Sequence, residues 1–215
     1  MRLWFSKIDT ITAMIPQMIT LVAVAGAAVL AAQAPASASS SFVPPSSSSA
    51  ATTAPLRLRG GLTLDLPSSW QVYGGGDQIR VVTGACARPR GHYFEPNCRS
   101  FWVMGTQAIK TGGEGFQPYN PNQGPFYPAV DVAPCATDPS LGQVLGKAVA
   151  AGYRPFGARH KARYRVWPGR CVRDNGEQKS VFSQREWYLP KERILIVDQW
   201  NTPGLTTVLK HATWS

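Results

Sequence analysis

The residues best equipped for chemistry sit between Arg154 and Arg173, where seven lysines and arginines occur with no acid among them. Four of them, Arg159, Lys161, Arg163 and Arg165, occupy alternate positions. A strand repeats every two residues, so a strand over 159–166 would carry all four on one face, with Ala158, Ala162, Tyr164 and Val166 on the other. Like charges so arranged repel one another unless they are solvated or meet an anion. The row is therefore either a hydrated outer sheet face, balanced by acids such as Glu186 on a neighbouring strand, or a patch for a polyanion. Tyr164 faces away from the arginines. Nucleic acid, which calls for aromatic rings interleaved with the charges, is accordingly disfavoured.

A second candidate lies between Gly112 and Pro128, where Phe116, Tyr119, Phe126 and Tyr127 stand among Gly, Pro and Asn. Aromatic rings on a loop either stack on sugar rings or fasten the loop to its own domain. Conventional catalytic signatures are missing: the chain has no Gly-x-Ser-x-Gly elbow, His-Glu-x-x-His pair, Walker loop or Ser-x-x-Lys. The Gly113-Glu114-Gly115 triplet meets Pro118 where a dinucleotide fingerprint needs a third glycine. The acids are sparse. A glycosidase requires two carboxylates flanking one bond, and Glu186, Asp198, Asp65 and Glu95 could supply them only if the fold brought them together. The three histidines, His92, His160 and His211, are scattered and no Cys-x-x-Cys occurs, so no metal, cofactor or catalytic residue is assigned.

Cys86, Cys98, Cys135 and Cys171 are the only cysteines. An even set in an exported chain reads as disulfides rather than as ligands or a thiol nucleophile paired with His92 or His160. Cys86 and Cys98 flank the connection between two predicted strands, which a hairpin would bring together. Cys135 precedes an expected helix over 138–149, and a following strand would return Cys171 to it.

The elements that must position these residues emerge from periodicity. Leu62, Leu64 and Leu66 alternate with polar residues; 70–73, 78–83, 100–109, 159–166, 181–189 and 193–200 read as further extended segments. Asp138-Pro139 starts the expected helix, with Leu141, Val144, Leu145, Ala148 and Val149 on one face, and Gly152 ends it. Asn201-Thr202-Pro203 precedes a short last helix with Leu205, Val208 and Leu209. The stretch 111–134 reads as one long surface loop. The expectation is an α+β domain over 56–215: a mostly antiparallel sheet of about six strands, two helices and two disulfides.

Ahead of that domain, Arg2, Lys7 and Asp9 are the only charges before Arg57, so the net charge of +10 rests largely on the domain itself. An apolar run from Met18 to Ala32 and the small residues Ala36-Ser37-Ala38 read as a secretion signal over 1–38. Extended back to Ala13, the same run serves as an uncleaved anchor crossing the membrane through 13–32. In both cases the C-terminal domain faces outward. The Ser/Ala/Pro-rich stretch 39–55 has too little to bury and reads as a tether.

Residues 61 to 72, Gly-Leu-Thr-Leu-Asp-Leu-Pro-Ser-Ser-Trp-Gln-Val, resemble the entry strand of the Mog1/PsbP-like (LpqN-like) group, which includes exported actinobacterial envelope proteins. That resemblance implies an antiparallel sheet flanked by helices and an accessory or binding role, with no catalytic set to carry over. The expected function is an exported envelope protein whose basic face meets an anionic partner: wall polymer, lipid headgroups or an envelope protein. The alternative is a wall hydrolase or transferase with a carboxylate-based site. Cleavage predicts a mature chain starting near Ser39. Intact mass from the native host checks it, and a mass that includes Met1 decides for the anchor.

Overall fold

The computed structural model describes residues 53–215 apart from Phe94 and Pro96. The signal or anchor segment and the tether up to residue 52 lie outside the described residues. No helix among the described residues is long and apolar enough to cross a membrane.

The chain runs through β1 (Thr53–Arg57), β2 (Leu62–Pro67), β3 (Gln71–Gly75), β4 (Gln78–Cys86), β5 (Cys98–Met104), α1 (Thr106–Lys110), β6 (Pro134–Cys135), β7 (Asp138–Leu145), β8 (Ala150–Pro155), β9 (Lys161–Val172), β10 (Gln178–Leu189), β11 (Ile194–Asp198), α2 (Leu205–Lys210) and β12 (Thr213–Trp214). Nine strands form one curled sheet in the order β3-β4-β5-β11-β10-β9-β7-β6, with β8 pairing β9 beside β7. A three-stranded sheet, β1-β2-β12, accompanies it. Every pairing is antiparallel.

Two apolar layers hold this arrangement. The alternation of β2 sends Leu62, Leu64 and Leu66 inward, where they join Phe101, Trp187, Ile196 and, from α2, Leu205 and Leu209 in the larger core. Those sheet residues define the first face of the large sheet. The second face carries Trp102, Met104, Leu195 and Val197 and is covered by α1 and the segment after it, through Ala108, Ile109, Tyr119 and Phe126. A sheet apolar on both faces needs two covering layers. Here small strands and a helix serve one face, and an irregular segment serves the other.

Asp77 secures that second cover. The β3–β4 turn uses Gly76 at φ 60°, a left-handed conformation that a side chain would resist. The turn presents the Asp77 carboxylate to the backbone N–H groups of Gln107 and Ala108, at 2.9 and 2.6 Å. The free donors at the start of α1 are thereby satisfied from outside the helix. Arg59 donates to Asp77 and, at 2.5 Å, to Thr106 Oγ1.

The sheet is larger than the expected six strands, and three segments depart from their expected form. The expected helix over 138–149 is strand β7 followed by a bend. Glycines at 142 and 146 would each weaken a helix by ~1 kcal/mol, whereas β7 gains the ladder with β9 from Gly142↔Val172 to Leu145↔Gly169. Of the presumed helical face only Leu141 is buried, while Val149 is 70% exposed. The extended segment expected through Ile109 ends at Met104 and turns into α1, so one of the two helices lies elsewhere than expected. Thr53–Pro55, assigned to the tether, belong to β1 and pair with Asp65–Pro67.

The disulfides join Cys86 to Cys98 and Cys135 to Cys171. The first closes the β4–β5 connection. The second ties β6 to β9 across β7, a strand doing what was expected of a helix. A chain whose described cysteines are all bridged suits an oxidising compartment. Replacing Cys135 and Cys171 together by alanine is expected to lower stability by ~2–4 kcal/mol, because the bridge closes a long loop in the unfolded chain. Urea denaturation of variant and wild type measures the loss.

Candidate functional site

Strand β10 turns Gln184, Glu186 and Tyr188 toward the second face, and Glu186 is wholly buried there. Four donors converge on its carboxyl: Tyr119 Oη at 2.6 Å, the backbone N–H of Phe126 at 2.6 Å, Trp167 Nε1 at 2.7 Å and Gln184 Nε2 at 2.7 Å. Two of them come from the covering segment and two from the sheet. Burial raises the Glu186 carboxyl above the ordinary carboxylate range, while the four hydrogen bonds pull the other way. Tyr119 is raised as well, by burial and by the neighbouring Glu186.

The polar layer extends sideways. Gln184 Nε2 also donates to the Phe126 carbonyl at 2.8 Å. Gln199 Nε2 donates to Gln184 Oε1 at 2.6 Å and to Gln143 Oε1 at 3.0 Å. Asp198 is equally buried but points to the first face, as its register partner Arg185 does. It accepts from Arg185, from the Thr202 hydroxyl at 2.9 Å and from the backbone of Trp200 at 3.1 Å. Glu186 and Asp198 therefore belong to opposite faces, Asp65 is exposed on β2, and Glu95 pairs with Arg88. The arrangement offers no two of these carboxylates flanking a common cleft. No described group of three His, Cys, Asp or Glu residues could hold a metal.

The aromatic loop divides. Tyr119 and Phe126 are buried and fasten the segment to the sheet, Tyr127 accepts the Ala133 N–H at 2.8 Å through its hydroxyl, and Phe116 is 54% exposed. The basic row divides too. Arg159 precedes β9, which begins at Lys161. Arg165 bends over the loop, donating to the Pro121 carbonyl at 3.1 Å and to Asn122 Oδ1 at 3.0 Å. Of the row, Lys161 is exposed and Arg163 half-buried on the strand.

The structure adds partners that the sequence did not disclose. Arg163 lies in register between Tyr153 of β8 and Tyr188 of β10, so the three side chains share one face. Tyr153 is 61% exposed, and Tyr188 rests edge-on against Tyr119 with ring centres 5.2 Å apart. Beside Tyr188 lies an open depression of ≈ 450 Å³ lined by Tyr119, Asn120, Pro121 and Gln123. Tyr153 fell just past Gly152, outside every expected element, and only strand register could have placed it next to Arg163. Arg80 was also missed: a buried guanidinium that donates to the carbonyls of Arg88 and Glu95 and holds the Cys86–Cys98 loop against Trp102.

Comparison with protein-family models, with curated proteins and with solved structures finds no match for this chain.

Because burial raises the folded-state pKa of Glu186, its proton is held to higher pH in the folded chain than in the unfolded one. Its contribution to stability is full below the ordinary carboxylate range and is lost as pH rises through the folded pKa. Urea midpoints of wild type and Glu186→Gln, taken from about pH 4 to about pH 7, are expected to show wild type losing stability relative to the variant as pH rises. At every pH, Glu186→Ala is expected to be the less stable variant, by ~3 kcal/mol or more, since several buried donors lose their acceptor at once.

Proposed function

We propose that this is an exported, envelope-associated binding domain that takes an acidic glycan polymer on the face of Lys161, Arg163, Tyr153 and Tyr188. One observation carries the reading: Arg163 stands between exposed Tyr153 and half-buried Tyr188, with Lys161 beside it on the strand and Asn120 and Gln123 bordering the depression next to Tyr188. Aromatic rings offer flat apolar faces to sugar rings, amides bond hydroxyls, and a guanidinium pairs with phosphate or carboxylate in a fixed geometry. Arg165, drawn back to the loop carbonyl, serves as a support for the rim.

The buried, separately satisfied states of Glu186 and Asp198 support binding over a carboxylate-based hydrolase or transferase. The bridged cysteines fit a domain that works outside the cytoplasm, and the resemblance of residues 61–72 to accessory domains points the same way.

Lys161→Glu combined with Arg163→Glu is expected to abolish retention on purified teichoic-type polymer at low salt. Stability should change by about 1 kcal/mol, since Lys161 is exposed and Arg163 only half-buried. Wild-type retention should itself fall steeply between low and physiological salt, where screening shortens to ~8 Å. Vesicles of anionic lipid, run in parallel, distinguish polymer from headgroups. Undiminished polymer binding by the double variant would refute the assignment. Arg165→Glu is expected to lower stability as well, through its lost bonds to Pro121 and Asn122.

A further inference from the structure

A second depression, ≈ 440 Å³, opens where the covering segment meets β7. Its walls are apolar, with Phe116, Pro125, Tyr127, Val144 and Leu145, and its charged lining consists of Glu114 and Asp131 without any lysine or arginine. In a chain with 22 basic residues against 12 acidic ones, that local reversal is notable.

The floor carries Gln143, 5% exposed, whose Nε2 has no partner among the described residues. The orientation of that amide is dictated from a distance. The Phe126 carbonyl can only accept, so Gln184 must turn its Nε2 to it and its Oε1 to Gln199. Gln199 meets that oxygen with its own Nε2, which also donates to Gln143 Oε1. Gln143 is therefore left presenting a donor, and a buried donor without an acceptor is unfavourable until something supplies one.

Two residues further along β7 the backbone is open. Gln143 gives its N–H to the Ala133 carbonyl, on the side of β7 away from β9, while Gly146 gives its N–H to Pro168 on the β9 side. Alternation along an antiparallel strand then turns the N–H and C=O of Leu145 away from β9 too. Among the described residues β6 pairs with β7 only through Asp138 and Gly142, so no strand lies beside Leu145. Phe116 stands at the rim in a left-handed conformation, φ 61°, with its ring largely in solvent. Strain of this kind in a non-glycine residue is characteristic of ligand-contacting positions.

We infer that this groove receives an extended, positively charged peptide segment. The peptide lies beside the open backbone of Leu145, past the Ala133 contact, and places one carbonyl on Gln143 Nε2. An apolar side chain rests against Phe116 and Tyr127, and a lysine or arginine meets Glu114 and Asp131. Edge addition supplies main-chain hydrogen bonds and the walls select alternate side chains. The two carboxylates beside apolar walls favour a cationic peptide over a neutral sugar. The site is separate from the glycan face and does not rest on it.

The probe is a blocked, fluorescein-labelled peptide in which lysine alternates with valine, titrated against the domain and followed by polarisation. Saturable binding is expected, weakened about fivefold by Glu114→Gln with Asp131→Asn, as two rim ion pairs imply. Phe116→Ser is expected to weaken it further, and the peptide with glutamate in place of lysine to bind less well than either. Gln143→Leu should abolish binding; should that variant fail to fold, the three exposed substitutions still decide. Lys161→Glu with Arg163→Glu should leave peptide binding unchanged, which separates this site from the glycan face. The inference is overturned by unsaturable binding, by equal affinity for the lysine and glutamate peptides, by indifference to the Glu114 and Asp131 changes, by loss of binding in the Lys161 and Arg163 variant, or by a chitin-type oligosaccharide that binds where the peptide does not.

Discussion

The second face of the sheet depends on one buried carboxyl. Glu186 accepts from the Phe126 backbone and the Tyr119 hydroxyl, and those two bonds, with the rings of the same residues, hold an otherwise irregular segment against Trp102, Leu195 and Val197. A stretch made of Gly, Pro and Asn cannot form a ladder of its own. It can cover a sheet only where the sheet satisfies its polar groups, because buried main-chain donors without partners are costly. Trp167 and Gln184 complete the shell, so the charge-bearing centre of the layer is saturated. That saturation makes Glu186 an organiser of the fold, unsuited to donating protons to an outside substrate.

The same carboxyl has effects beyond its own contacts. It holds Phe126, whose carbonyl orients Gln184, and the orientation passes through Gln199 to Gln143. The face proposed for glycan benefits as well. Tyr119, fixed by Glu186, supports Tyr188, and Arg165 fastens the loop between them. Both surfaces proposed for binding thus rely on a segment placed by a single acid.

Much of the first face could be read from residue order alone. Leu62, Leu64 and Leu66 alternate cleanly, β10 and β11 are dense in β-branched and aromatic residues, and Leu205 with Leu209 marks the last helix. These signals are local. The features that residue order concealed are nonlocal. Thr106–Lys110 becomes helical because Asp77, from a distant turn, satisfies its first donors. The 138–149 stretch has helical spacing yet extends because β9 offers a ladder and two glycines discourage the helix. Arg159 to Arg165 alternate as expected, but Arg159 falls before the strand and Arg165 turns to the loop. Tyr153 and Tyr188 gain meaning only through a register that no local pattern encodes.

The ends of the large sheet have a consequence for how copies of this chain treat one another. Strand β3 closes one end with Gly74 and Gly75 in its last residues. At the other end β6 spans only Pro134–Cys135, and β8 carries Gly152 at φ 150°, Arg154 and Pro155. Glycine, proline and charge on short or irregular borders deprive a second molecule of a flat template for edge-to-edge stacking. These borders therefore leave a second molecule little flat backbone to stack on, the short stretch at Leu145 apart, so that the sheet can curl without inviting fibrils.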